Sequence, residues 1–369
     1  MVGDDAKADA LLGGPRGRRV CLEFALSLHG PALDGPDALA GALFWGAYER
    51  DEGSRTVVRY SRVSDGDDRG ANSIPSAPPI EEIARIFEAS PLPAPTGAVL
   101  EACLSDAVSS ARYWQEPDGA DVLAAEPELR QALLRVARVI ASSVAAAWWT
   151  DAAARDDQWV ATFEGTGDAP AVTARQALDS WRNATQRDES EWRRYPIAPG
   201  VSMGGPWWSI PPRRLLRTTR SMGERGPMGL RFVEDGLGWR AAEVRRVEVA
   251  HSAHVFEITS ADDWSELCRQ YPLEVTASRR HDWVRATGRS GAWVIPDWAR
   301  VADEYDGVHL TVAGYLNSAG RAIPVDDDTA SVLAGWDPDQ TVWLRDGVAV
   351  QGADSESWTC DDAGTWHRA

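Results

Sequence analysis

The apolar residues of this 369-residue chain change their spacing along its length, and that change dictates two kinds of packing. In the first half they recur with the 3.6-residue period of a helix that buries one face. Leu100, Cys103, Leu104, Val108 and Ala111 mark a helix over about Gly97 to Gln115. Leu129, Leu133, Val136, Ile140 and Val144 mark another over Glu128 to Trp149. A third opens at Thr173, where Gln176 completes a capping box, and runs to about Arg194. Pro79 suits the first turn of a helix over Ile80 to Glu88, because the N–H it lacks has no helical partner there. Val20 to Leu28 reads as a strand or short helix, Thr56 to Tyr60 as a strand, and 64–79 as a loop.

The second half alternates short strands and helices. Val247 to Ile258 reads as a long strand or strand pair, followed by a helix from Ser260 to Gln270. Leu273 to Ser278, Ala292 to Ile295, Ser331 to Trp336 and Thr341 to Leu344 read as strands, and Trp298 to Tyr305 as a short helix. The clearest strand pattern is Gly307 to Leu316, which places Val308, Leu310, Val312 and Leu316 on one face and His309, Thr311, Ala313 and Tyr315 on the other. The expected fold class is α+β. A mainly helical domain would span 1–195, a Pro-, Gly- and Arg-rich connecting segment 196–246, and an α+β domain with a mixed or antiparallel sheet 247–369.

Composition narrows the functions. A net charge of −18 disfavours nucleic acid as a partner, because affinity for it comes from neutralising phosphates. It disfavours an anionic membrane surface for the same reason. Pro212 to Glu248 runs against this balance, with nine Arg against five Asp and Glu. That segment reads as a surface docked on the acidic remainder, with a phosphate-binding patch as the rival reading. Cys21, Cys103, Cys268 and Cys360 stand singly, without a C-x-x-C pair, so a thiolate zinc site is not expected and a reducing cytoplasm is. The early apolar run VCLEFALSL is interrupted by Glu23 and does not read as a signal peptide. The stretch from Val139 to Trp149 is too short to span a bilayer. Eighteen Trp are scattered through the chain, and the pairs Trp148-Trp149 and Trp207-Trp208 suit either core packing or the wall of a pocket for a flat ligand.

Four of the six histidines, His251, His254, His281 and His309, lie between positions 251 and 309, so titratable chemistry is sought there. His251 and His254 point to opposite faces of a strand and make a poor metal pair. No metal is expected. In SRRHDW, from Ser278 to Trp283, Arg279 or Arg280 can clamp a phosphate or carboxylate and Asp282 can orient His281 as a base, with a solvated ion-paired turn as the plain alternative. His309, Thr311 and Tyr315 would face a cleft over the sheet or lie under a covering helix. Asp337 and Asp339 would point the same way if extended, although Asp-Pro-Asp also makes a turn. P-loop, G-x-G-x-x-G, G-x-S-x-G and H-E-x-x-H signatures are absent from the sequence.

The stretch from VTASRRHDW through AGWDPDQTVWL, with ARYWQEPDG and GPRGRRVCLE before it, resembles an actinobacterial family of hypothetical proteins, a resemblance that implies no activity. From His254 to Leu344 the order of elements resembles the ADP-ribosyltransferase fold. That resemblance implies that His254, then Thr311 with Tyr315, then Asp337-Pro-Asp339 fill the family's three strand positions. Asp stands where the family carries its last Glu, and the middle strand lacks a Ser-Thr-Ser run. The expectation is an NAD-using transferase or glycohydrolase, with NAD as substrate. Asp339, His309 and His281 would be catalytic; Arg279, Arg280, Thr311, Tyr315 and His254 would bind the dinucleotide. A protein-interaction or accessory protein is the alternative, and a metal-dependent hydrolase the third reading.

Overall fold

The computed structural model describes residues 2–28, 38–51, 76–166, 172–195, 198, 200–202, 204–235, 238–362 and 364–369. The expected strand Thr56 to Tyr60, and residues 64–75 of the expected loop, lie outside the described residues.

The amphipathic patterns of the first half fold as helices. The expected strand or short helix at Val20 to Leu28 is the helix Pro15–Leu26, which starts on proline and buries Val20, Cys21 and Phe24. It crosses the preceding helix, Val2–Leu12, so closely that a Cβ on Gly17 would stand 1.7 Å from the Leu11 carbonyl oxygen. Thr96 caps Gly97–Ser109, which ends short of the expected Gln115. The expected helix over Glu128 to Trp149 is interrupted: Arg130–Ala141 stops at Ser142-Ser143, and a 3-10 segment, Val144–Thr150, sets off at 89° to it. The cause is a competing local bond, since Ser143 Oγ accepts the Ala145 N–H and recaps the chain. Among the described residues no single helix is long and apolar enough to cross a membrane. Ala174–Arg194 forms with the capping box its sequence carries.

Among the described residues three sheets follow, and the fold class is α+β. The first is antiparallel, ordered Gln158–Phe163, Ala241–Val249, Glu356–Cys360, Trp366–Arg368, with Ala349–Gln351 also pairing Ala241–Val249. The second runs Arg217–Thr218, Gln340–Trp343, Gly307–Leu310, Val255–Ile258, and its last pair is parallel. The third runs Pro272–Glu274, Ala292–Pro296, Thr329–Ser331, Ile323–Pro324.

Two expected strands become strand plus helix. Gly307–Leu310 ends where Thr311 Oγ1 accepts the Gly314 N–H and caps the helix Val312–Ser318. Val312, Tyr315 and Leu316 are therefore buried at helical spacing, and the even-numbered apolar series that suggested one long strand spans a change of period. Likewise Pro272–Glu274 is short, and SRRHDW lies on the helix Thr276–Thr287, which closes on Gly288 at φ 71°.

Among the described residues one main apolar core runs from Ala8 to Leu344 and takes in residues on both sides of the expected 196–246 connecting segment. A smaller cluster, Leu230, Ala242, Val244, Trp358 and Trp366, belongs to the first sheet, with Trp159, Ala161, Phe163 and Trp239 packed against it. Inside the main core Arg16, 2% exposed, pairs with Asp121 and donates to the Ala107 carbonyl at 2.9 Å. A buried cation is costly once its counter-ion is removed. Asp121→Ala is expected to lower unfolding free energy by on the order of 3–5 kcal/mol, read by urea denaturation; a loss below about 1 kcal/mol would mean that water reaches Arg16.

Candidate active site

The two apolar clusters do not close on each other completely. Between them lies a cavity of about 630 Å³, within the size range of small-molecule sites. Trp159, Ala161 and Phe163 supply one wall from alternate positions of a single strand, which places them on one face. Trp239 stacks flat on Phe163, with ring centroids 4.2 Å apart. Trp207 and Ile210 supply apolar surface from the main core, and Trp207 packs edge-on against Trp208. Trp207, from one of the two Trp pairs of the sequence, thus lines a pocket.

The polar wall is built from loops and a short strand. Glu234, Asp337, Gln340, Arg213 and Arg217 line it, with Thr218 and Thr219. Asp337 Oδ1 accepts the Glu234 backbone N–H at 2.9 Å, which locks the two acidic residues together. Its Oδ2 accepts from Gln340 Nε2 at 3.0 Å. Arg217 donates to Gln340 Oε1 at 3.0 Å and to the Pro211 carbonyl at 2.7 Å. Glu234 Oε2 accepts the Gly335 N–H at 2.7 Å. That donor depends on glycine. Gly335 sits at φ 83°, and a Cβ there would stand 3.1 Å from Trp208 Cβ.

Glu234 is 8% exposed, and its Oε1 has no hydrogen-bond partner of normal geometry. The buried hydroxyls of Tyr113 and Tyr315 stand beside it in the same state. Burial, reinforced by the charge of Asp337, pushes the Glu234 carboxyl up to about 8. Burial also lifts Asp337, but the Glu234 N–H and Arg217 pull it back, so it reaches only about 6. Arg217, lowered by burial to about 10, keeps its charge at neutral pH. The cavity thus holds one neutral acid and one carboxylate side by side, a division of roles that differing environments impose on acid–base pairs.

The residues expected from sequence are only partly brought together. His309 and Asp339 do meet, with Nε2 3.4 Å from Oδ1, and Glu257 Oε2 lies 2.5 Å from His309 Nδ1. Arg220 Nε reaches Asp339 at 2.7 Å and its guanidinium lies over Trp148. Burial disfavours the His309 imidazolium, yet the bonds from Asp339 and Glu257 outweigh it and raise its pKa. His309 and Asp339 are 1% and 2% exposed and neither lines the cavity, so this network ties sheet to loop. Asp337-Pro-Asp339 is a turn, with Asp339 at φ 56°, and only Asp337 faces the cavity.

Elsewhere the expected set is dispersed. His281 lies on the Thr276–Thr287 helix against Trp192, with ring centroids 5.4 Å apart, and burial with Arg280 lowers its pKa. Arg279 is buried, donating to the Trp208 carbonyl and Ser278 Oγ, and Arg280 is partly buried on the same helix. Thr311 is a helix cap. His254 is exposed and packs at a tilt against Tyr305. Tyr315 does approach the site, but fully buried behind Glu234, so it has no free face for a ligand ring. Glu234, Trp159, Phe163, Trp239 and Arg217 escaped the sequence reading. The alternation Trp159-x-Ala161-x-Phe163 and the basic turn of charge after Pro212 were their visible signals. Among the described residues no group of three or more His, Cys, Asp and Glu side chains can hold a metal ion.

No family model, curated protein or solved structure matches the chain.

The raised carboxyl has a consequence for stability. From the ordinary value of 4.5 up to about 8, the unfolded chain ionises Glu234 while the folded chain keeps the proton, so folding loses stability as pH rises through that window. Glu234→Gln removes the loss. Its stability relative to the parent is expected to grow between about pH 5 and about pH 8, by on the order of 3 kcal/mol, in urea titrations at both pH values. Parallel pH dependences for the two proteins would show that Glu234 is ionised in the folded state.

Proposed function

We propose that this cavity is the active site of a glycohydrolase or glycosyl-transferring enzyme that acts on a nucleotide-like glycoside, a class that includes NAD. The observation that carries the reading is the adjacent pair Glu234 and Asp337, one protonated and one ionised near neutral pH. Cleavage of a glycosidic bond through an oxocarbenium-like centre uses two such carboxyl groups. The bond from the anomeric carbon breaks and its electrons leave with the departing group. A departing base that is uncharged in the glycoside takes the Glu234 proton, whereas a pyridinium such as that of NAD leaves neutral on gaining the bond electrons and needs none. The Asp337 carboxylate faces the positive charge that develops on the sugar and then accepts the proton of the attacking water or acceptor hydroxyl.

The rest of the cavity suits the same substrate class. The stacked Phe163–Trp239 pair, Trp159 and Trp207 offer aromatic surface to a base or sugar face. Arg217 and Arg213 offer cationic forks to phosphate oxygens, which gives the basic segment after Pro212 a role within an acidic chain. In this reading Asp337 takes the place in chemistry that the sequence assigned to Asp339, and Arg217 the place assigned to Arg279 and Arg280.

The test is chromatographic release of free base from NAD and from purine and pyrimidine nucleotides. The free-enzyme profile should rise through about pH 6 as the pair loses its first proton and fall through about pH 8 as it loses the second. Asp337→Asn should lower kcat by about 100-fold or more on every substrate, and Glu234→Gln by as much on nucleotides whose departing base is uncharged, with thermal midpoints checked in parallel. Saturable binding with no released base, or full activity in both variants, would remove the catalytic assignment and leave a binding protein.

A further inference from the structure

A second cavity of about 500 Å³ adjoins the first, and Trp207 and Asp235 line both. Trp114, Gln115, Asp282 and Arg285 complete the walls that matter here. The Trp114 and Trp207 rings lie 5.1 Å apart at a tilt of 45°, giving an aromatic corner. Asp282 comes from the Thr276–Thr287 helix and is 5% exposed.

The charges around Asp282 are otherwise engaged. Arg285 stands 3.8 Å from it, beyond hydrogen-bond reach, and gives two bonds of 2.8 Å to Glu116 and one of 2.8 Å to the Trp114 carbonyl. Arg279 gives its N–H groups to the Trp208 carbonyl and Ser278 Oγ. The other acidic wall residue, Asp235, is paired with Arg112 at 2.9 Å. Burial lifts Asp282 to about 6 against the pull of Arg285 and Arg279, so at neutral pH it still carries charge. A buried carboxylate whose nearest cation, Arg285, stands 3.8 Å away and gives its hydrogen bonds to Glu116 and the Trp114 carbonyl, in a wall shared with two indole rings, suits an organic cation.

We propose that this second cavity binds a flat organic monocation of the pyridinium type, with Asp282 as counter-charge and the Trp114–Trp207 corner as its aromatic wall. The binding claim itself stands apart from the catalytic reading, since Glu234 and Asp337 do not line the second cavity.

The discriminating pair of probes is 1-methylnicotinamide, a permanent cation, and nicotinamide, its uncharged counterpart. Calorimetric titration of the whole chain at neutral pH should give at least tenfold tighter binding of the cation, on the order of what one desolvated cation–aromatic contact provides. Asp282→Asn and Trp114→Ala should each weaken it about fivefold or more with folding verified by thermal midpoint, and the conservative Trp114→Phe should recover most of the loss. Glu234→Gln should leave cation binding unchanged, so a failure of the catalytic reading would not disturb this result. Equal affinity for the two probes, binding of neither, or retained affinity in Asp282→Asn and Trp114→Ala would overturn the proposal.

Discussion

Everything in the candidate site rests on the desolvation of one side chain. Glu234 is taken out of water at the seam of two apolar clusters, and no cation is bonded to its carboxyl. A carboxylate in that position is unfavourable, so the group retains its proton into the neutral range. Asp337, one backbone hydrogen bond away, has the opposite environment: N–H donors and the field of Arg217. Two residues of like chemistry are separated in behaviour by what surrounds them, and that separation distinguishes a cavity able to do acid–base work from one merely lined with acids.

The fold supplies this environment by bringing distant segments to one place. The aromatic wall comes from the antiparallel sheet, the arginines from the loop and short strand after Pro212, and Asp337 from the turn before Gln340–Trp343. Tyr113, from the helical half, and Tyr315, from a helix of the second half, close the rear of Glu234. The His309–Asp339–Arg220 network serves a different end. It is a charged cluster with its partners satisfied, holding the Gly307–Leu310 and Gln340–Trp343 strands to the segment around Arg220.

Regular elements were legible where a single period ran unbroken. The helix from Thr173 carried its own capping box, and the helix behind Ser260 and the strand Ala292–Pro296 likewise lie where periodicity put them. Errors arose where one apolar series crossed a local cap. Thr311 and Ser143 each redirected the backbone with a hydroxyl bond that a hydrophobic pattern does not register. The site was harder to see. Histidine density drew attention to residues 251–309, yet those histidines are exposed, packed against an aromatic ring or ion-paired. Glu234 stands in an unpatterned loop, and what makes it chemically unusual is burial by residues more than a hundred positions away in either direction along the chain, Tyr113 and Asp337 among them. The Asp-Pro-Asp turn was readable, but which of its two acids faced a cavity depended on Asp339 adopting a positive φ.

Gly335 links this chemistry to the backbone itself. Its N–H holds Glu234 Oε2, and it does so from a left-handed conformation against Trp208 that side chains other than hydrogen do not readily enter. The acid's orientation is therefore anchored by a peptide group, with the Tyr113 and Tyr315 hydroxyls beside it. Drift in the surrounding sequence can resize the aromatic walls or recharge the rim, and so change which molecule enters. It has less freedom over where the proton is presented, because that depends on a position whose left-handed conformation favours glycine.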